Sequence, residues 1–186
     1  MAGEAHTQGI LAETEEFRYA DLEDLLRESE SRPALFLLDR VTDPQNLGAI
    51  LRTTACFGEI ALVLPRHESA QVNETVLRVA CGGENYTAVA LVTNLAQAAE
   101  KMKKAGYWIA GAVGQGGQPL AAADWPTPLA VVFGSEGTGI RPGLEKHLDL
   151  KLSIPMPGAD LSYNVATAAA LFGYEITRRR LLKGKS

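Results

Sequence analysis

The sequence predicts an α/β domain built on a mostly parallel sheet with helices on both faces. Short uninterrupted apolar runs, Ala34 to Leu38 and Leu129 to Phe133, have the character of strands buried on both sides. Such runs alternate along the chain with segments of helical periodicity, the pattern of a crossover-connected sheet. A length of 186 residues, 46% of them hydrophobic and 22% charged, suits one domain with a substantial core.

The elements follow in order. After the Ala34 to Leu38 strand, Asp43-Pro44 marks a turn, and a helix is expected from Asn46 to Phe57, with Asn46 as its N-cap. A strand at Ile60 to Leu64 leads to a helix around Asn73 to Ala80, then to a strand spanning Tyr86 to Val92. Leu95 to Ala105 reads as a helix with Lys101, Lys103 and Lys104 on its wet side, followed by a strand from Tyr107 to Ala112. Gly114-Gln115-Gly116-Gly117 is a flexible loop before the Leu129 to Phe133 strand. A strand at Lys151 to Ile154, a Pro/Gly-rich loop and an Ala-rich helix from Val165 to about Arg180 close the chain.

Composition narrows the function. No segment has the length of a membrane span, and the polar, acidic start does not read as a signal peptide. Cys56 and Cys81 lie in apolar helical patterns with no metal-like pairing, so they read as reduced core residues of a cytoplasmic protein. His6, His67 and His147 are far apart, and no metal site is expected. The net charge of −4 is low for an RNA-binding protein, but it is unevenly spread. Residues 1–30 carry nine acidic and two basic residues, whereas residues 31–186 carry 13 acidic and 16 basic. The expected division is an acidic leading segment, 1–30, and the domain proper, 31–186. The basic cluster Arg178-Arg179-Arg180 with Lys183 and Lys185 reads first as a solvated helix end favourable to its own dipole.

Three segments carry chemistry. Asn46, Gly48 and Arg52 fall at i, i+2 and i+6, gathering an amide, exposed backbone and a guanidinium near a helix start. This suits an anion or RNA phosphate, although a capped surface helix with a solvated Arg explains it locally. Gly134-Ser135-Glu136-Gly137-Thr138-Gly139 lets backbone approach a ligand. Its order is wrong for a dinucleotide fingerprint and it lacks a P-loop Lys, so a plain strand-to-helix turn also accounts for it. Ile154-Pro155-Met156-Pro157-Gly158, followed by Ser162-Tyr163-Asn164-Val165, forms a loop whose backbone groups cannot all pair internally. The Ala-rich helix after it is explained by core packing alone.

In order and spacing these segments resemble the three motifs of the SpoU (TrmH-like) family of RNA ribose 2′-O-methyltransferases, within the SPOUT class. Asn46-x-Gly48-x-x-x-Arg52-Thr53 is similar to motif one, Phe133-Gly134-Ser135-Glu136-Gly137-x-Gly139 to motif two, and Ile154-Pro155-Met156-x-Gly158 with Ser162-Tyr163-Asn164-Val165 to motif three. Gln8-Gly9-Ile10, Val41-Thr42-Asp43-Pro44, Val79-Ala80-Cys81-Gly82 and Val92-Thr93-Asn94-Leu95 extend the resemblance to the RlmB-type branch, which acts on a guanosine of 23S ribosomal RNA. Members of that branch carry an L30e-like domain ahead of this region, so residues 1–30 are expected to be a remnant of the linker to it. Tyr163 stands where the family usually has Leu.

The resemblance implies a carboxyl-terminal trefoil knot, where general winding rules would predict none. It also implies S-adenosylmethionine as methyl donor, held by positions matching Gly134, Ile154 and Tyr163, and a homodimer whose sites are assembled across subunits, with the Ala-rich final helix a candidate for the interface. Arg52 is the expected catalytic residue. It would act as base or as electrostatic positioner, the latter being the conservative role for a group that stays protonated. Asn46 would orient Arg52 or the ribose, Glu136 would hold the motif-two loop or Asn46, and Ser162 and Asn164 would shape the catalytic face. A transfer RNA substrate and a non-catalytic RNA-binding or ribosome-assembly module on the same fold are the competing expectations.

Overall fold

The structure is a computed structural model that describes residues 16–27, 34–135, 137–158 and 161–183. Seven strands form one sheet: β1 (Ala34–Leu38), β2 (Ile60–Pro65), β3 (Val89–Val92), β4 (Trp108–Val113), β5 (Gln118–Pro119), β6 (Leu129–Phe133) and β7 (Leu150–Ser153). All neighbouring pairs are parallel, in the order β3-β2-β1-β6-β4-β7-β5. The helices are α1 (Leu22–Arg27), α2 (Pro44–Phe57), α3 (Glu74–Ala80), α4 (Leu95–Lys104), α5 (Pro142–Glu145) and α6 (Val165–Lys183). The expected α/β architecture is therefore present.

Every residue of β1, β2 and β6 is buried, as their unbroken apolar runs require. Side chains alternate between two cores, one on each face of the sheet. On one face Phe36, Leu38, Leu62 and Phe133 pack against Ile50 and Leu51 of α2 and Phe172 of α6. Edge-to-face contacts link the rings of Phe36 and Phe133 at 4.9 Å and of Phe133 and Phe172 at 5.4 Å. On the other face Leu35, Leu37, Ala61 and Val132 meet Ala99 and Met102 of α4. Gly173 lets α6 approach α2, because a Cβ there would stand 2.6 Å from a ring carbon of Phe57.

Several expectations are corrected. Asp43, not Asn46, caps α2: its carboxylate accepts from the Gln45 N–H, and Pro44 occupies the first turn, where its missing N–H costs nothing. Gly48 is buried rather than exposed. A Cβ on it would fall 2.6 Å from Val79 Cβ and 2.8 Å from Val76 O, so this glycine permits the α2–α3 contact. Cys56 and Cys81 are both exposed free thiols, since α2 and α3 turn other faces to the core. The strand expected from Tyr86 starts only at Val89, because Gly83–Asn85 form a 3-10 turn that delays it. The basic cluster is not simply solvated. Glu175 accepts from Arg178 and Arg179, Arg180 pairs with Glu59, and Arg179 lies 3.5 Å over the Trp125 ring.

Elements α1, β5 and α5 were not foreseen. The described part of the acidic leading segment is built into the fold. Ala20 bridges to Ala90, while Leu22, Leu25 and Leu26 are buried against the second core. No helix among the described residues is long and apolar enough to cross a membrane.

Candidate active site

The sheet order reverses beside β1, which has β2 on one side and β6 on the other although β3 to β5 intervene in sequence. In open α/β sheets a ligand crevice opens at the carboxyl ends of strands beside such a reversal. Here the register aligns Ala112 of β4 with Phe133 of β6, and Val113 with Ser153 of β7. The segments leaving these three strands surround a cavity of about 310 Å³.

Its walls are Gly114 after β4, Gly134 after β6, Ile154 and Met156 after β7, and Ser162 and Tyr163 before α6. Gly114 has nothing within 4 Å of where a Cβ would stand, so the cavity is open at its backbone. Gly134 is required for the opposite reason. A Cβ there would lie 2.2 Å from the Gly139 carbonyl carbon, because the loop doubles back on itself. Gly139 N–H donates to Ser135 O at 2.9 Å, Ser135 and Thr138 hydroxyls meet at 2.8 Å, and Gly139 has φ +65°.

The loop is braced from β1 by residues that sequence reasoning passed over. Asp39, fully buried, accepts from the Arg141 backbone N–H at 2.9 Å and from its Nε at 2.6 Å. Arg40, at φ +59°, donates from Nη2 to Gly139 O at 3.0 Å. The available signal was a carboxylate directly after a buried apolar run, a position where an unpaired charge would be costly.

Asn164 connects the site to α2. Its Oδ1 accepts from the Ala166 N–H at 2.8 Å, capping α6, and its Nδ2 donates to Asn46 Oδ1 at 2.8 Å. Gly134, Ile154, Ser162 and Tyr163 therefore share the cavity, and Asn46 joins Asn164. Arg52 does not line that cavity. It faces a second one of about 300 Å³, where Nη1 contacts Cys81 Sγ at 3.7 Å. Glu136 lies outside the described residues. No group of three or more metal-ligating side chains occurs among the described residues.

Fold and site define an open, parallel α/β domain with a cavity at the carboxyl ends of β4, β6 and β7, next to its strand-order reversal. The model of the SpoU rRNA Methylase family matches residues 33–174, and the chain belongs to that family. It is 41% identical over 179 residues to an uncharacterized tRNA/rRNA methyltransferase of Synechocystis sp., covering 95% of this chain and 47% of that protein. The chain thus spans about half the length of that relative. It is 40% identical over 176 residues to the 23S rRNA (guanosine-2′-O-)-methyltransferase RlmB of Pseudomonas aeruginosa, covering 93% and 71%. Among solved structures, the A. aeolicus TrmH/SpoU tRNA modifying enzyme superposes with a TM-score of 0.73 at 27% identity, covering 88% of this chain and 84% of that one. The SpoU methyltransferase AviRb of Streptomyces viridochromogenes, solved with AdoMet, shares the fold with a TM-score of 0.72 at 24% identity, covering 82% and 62%.

Proposed function

We propose that this chain transfers a methyl group from S-adenosylmethionine to the 2′-hydroxyl of a ribose in RNA, a guanosine of 23S ribosomal RNA. Family membership and the similarity to the P. aeruginosa enzyme support the reaction and substrate. The single observation in this molecule that carries the reading is the three-walled cavity at the ends of β4, β6 and β7, lined by the positions that match the family's cofactor motifs. Its lining fits a nucleoside carrying a methylated sulfonium chain: open backbone at Gly114, close-packed glycine backbone at Gly134, apolar Ile140, Ile154 and Met156, and Tyr163.

S-adenosylmethionine supplies, when bound, an electrophilic methyl on sulfonium. The chain's residues hold the sugar oxygen in line with it and exclude competing water. A ribose hydroxyl becomes a better nucleophile as the charge developing on its oxygen is stabilised, its proton being released to solvent. The Arg52 guanidinium serves that purpose and anchors the neighbouring phosphate. The Asn46–Asn164 hydrogen bond ties the start of α6 to α2. Glu136 is assigned, on motif resemblance alone, to holding the motif-two loop or Asn46.

Arg52 lies outside the cofactor cavity of its own chain, which favours a homodimer in which the Arg52 of one protomer serves the cavity of the other. The apolar residues left exposed on α6, Leu171, Tyr174, Leu181 and Leu182, supply a surface for such pairing. The carboxyl-terminal trefoil knot implied by motif resemblance is part of this proposal, as is a cytoplasmic location, where ribosomal RNA is found. A transfer RNA substrate is the second reading, favoured by the likeness to the A. aeolicus enzyme over 84% of that chain. Incubation with methyl-tritiated S-adenosylmethionine and an unmodified 23S rRNA transcript is expected to label the RNA. Label in a tRNA transcript alone would select the second reading, and label in neither would reject both.

A further inference from the structure

Tyr86 is 79% exposed, more than any other large apolar side chain among the described residues, yet its backbone is firmly held. Its N–H donates to Gly83 O at 3.1 Å. The next residue, Thr87, is buried, with its hydroxyl 3.1 Å from that of Thr54 on α2. Gly83 is pressed against α2 as well, since a Cβ on it would stand 2.9 Å from Arg52 Cα. The position of Tyr86 relative to Arg52 is thereby set at two points, through Thr54 and through Arg52 itself.

Tyr86 and Arg52 line the same shallow cavity of about 300 Å³, together with Cys56, Cys81, Gly82 and Gly83. No carboxylate lines it, and no carboxylate among the described residues pairs with Arg52. An exposed aromatic face fixed beside a guanidinium that no described carboxylate pairs, over glycine backbone, matches the chemistry of an unpaired nucleotide: a base to stack and a phosphate to bind. A folded aromatic left in water gains nothing from its exposure, whereas a splayed base would cover it.

We propose that Tyr86 is a stacking platform for a base of the RNA substrate, adjacent to the ribose and phosphate that Arg52 contacts. The proposal rests on the reading of Arg52 given above. It adds a determinant of RNA binding outside the three motifs, on the 3-10 turn that follows α3. Stacking tolerates any base, so the platform contributes affinity and registers the strand without choosing sequence.

The test is equilibrium filter binding of the full chain to an unmodified 23S rRNA transcript, with Tyr86→Ala and Tyr86→Trp variants. Tyr86→Ala is expected to weaken RNA binding about ten-fold or more, while Tyr86→Trp keeps it near wild type. Affinity for S-adenosylmethionine, measured by calorimetry, is expected to be unchanged in both. Unaltered RNA binding by Tyr86→Ala overturns the proposal. So does a loss accompanied by a change of oligomeric state in light scattering, which would make the ring a contact between copies. Methyl transfer is scored separately: a wild-type chain that binds RNA through Tyr86 and transfers no methyl defeats the function reading and leaves the platform standing.

Discussion

The side-chain amide of Asn164 donates to Asn46 Oδ1 at 2.8 Å, joining two positions 118 residues apart, while the Asn164 oxygen caps α6. One side chain thus performs two separable tasks. Asn164→Asp keeps the capping oxygen and loses the donor to Asn46. Its stability in urea unfolding is expected to stay within about 1 kcal/mol of wild type, with methyl transfer reduced at least ten-fold. Asn164→Ala is expected to lose about 1 kcal/mol in addition to activity. Equal activity in Asn164→Asp and wild type would reduce the pair to a structural tie.

Arg52→Ala is expected to abolish methylation while the melting temperature and S-adenosylmethionine affinity stay close to wild type. Arg52 is exposed, its guanidinium contacts Cys81 Sγ, and it lies outside the cavity at the ends of β4, β6 and β7. Arg52→Lys is expected to recover little, because a single ammonium cannot reproduce the planar fork of a guanidinium. Full turnover by either variant would remove Arg52 from the mechanism.

Gly134→Ala tests the cofactor loop. The new methyl group would collide with backbone atoms of Gly139 and Ile140 at 2.2 and 2.4 Å, and a backbone obstacle cannot rotate away. The expected result is a cofactor affinity at least ten-fold weaker by calorimetry, with a stability loss of about 1–3 kcal/mol from overpacking. Unchanged cofactor binding would place the ligand elsewhere.

Glu175 provides a pH test of the α6 clasp. Hydrogen bonds from Arg178 and then Arg179, with their charges, hold its carboxyl below the ordinary glutamate range against the opposing effect of burial. A carboxylate whose pKa is lower in the folded state stabilises the fold above its unfolded pKa of about 4.3, and that contribution fades as pH falls through the folded value. The stability difference between wild type and Glu175→Gln is therefore expected to be full at pH 7 and to shrink as acid protonates Glu175. A difference that stays constant down to pH 3 would contradict the clasp.

Much of the fold was legible because β1, β2 and β6 are buried on both faces and so carry no polar residue to blur their limits. Elements α1, β5 and α5 were not, because six, two and four residues are too few to display a period. Asn46 was taken for a cap because it is a good capping residue, but Pro44 had already fixed the first turn three residues after Val41. Gly48 illustrates a different limit: a glycine needed for backbone exposure and one needed for helix packing look alike until the facing helix is known. Gly134, Ile154, Ser162 and Tyr163, singled out in separate segments of the sequence, line one cavity in the fold. Asp39 shows locally only as a carboxylate after a buried run; its partner Arg141, 102 residues away, and the separation of Arg52 from that cavity depend on tertiary distance.

The central claim is that the methyl group arrives on a sugar oxygen, and the product reports this directly. The chain, S-adenosylmethionine and an unmodified 23S rRNA transcript would be incubated, the RNA digested to nucleosides, and the products resolved by mass spectrometry. A single new 2′-O-methylguanosine, absent with Arg52→Ala, is the predicted result. Methyl groups found on a base, or a 2′-O-methyl yield that Arg52→Ala leaves intact, would contradict the account.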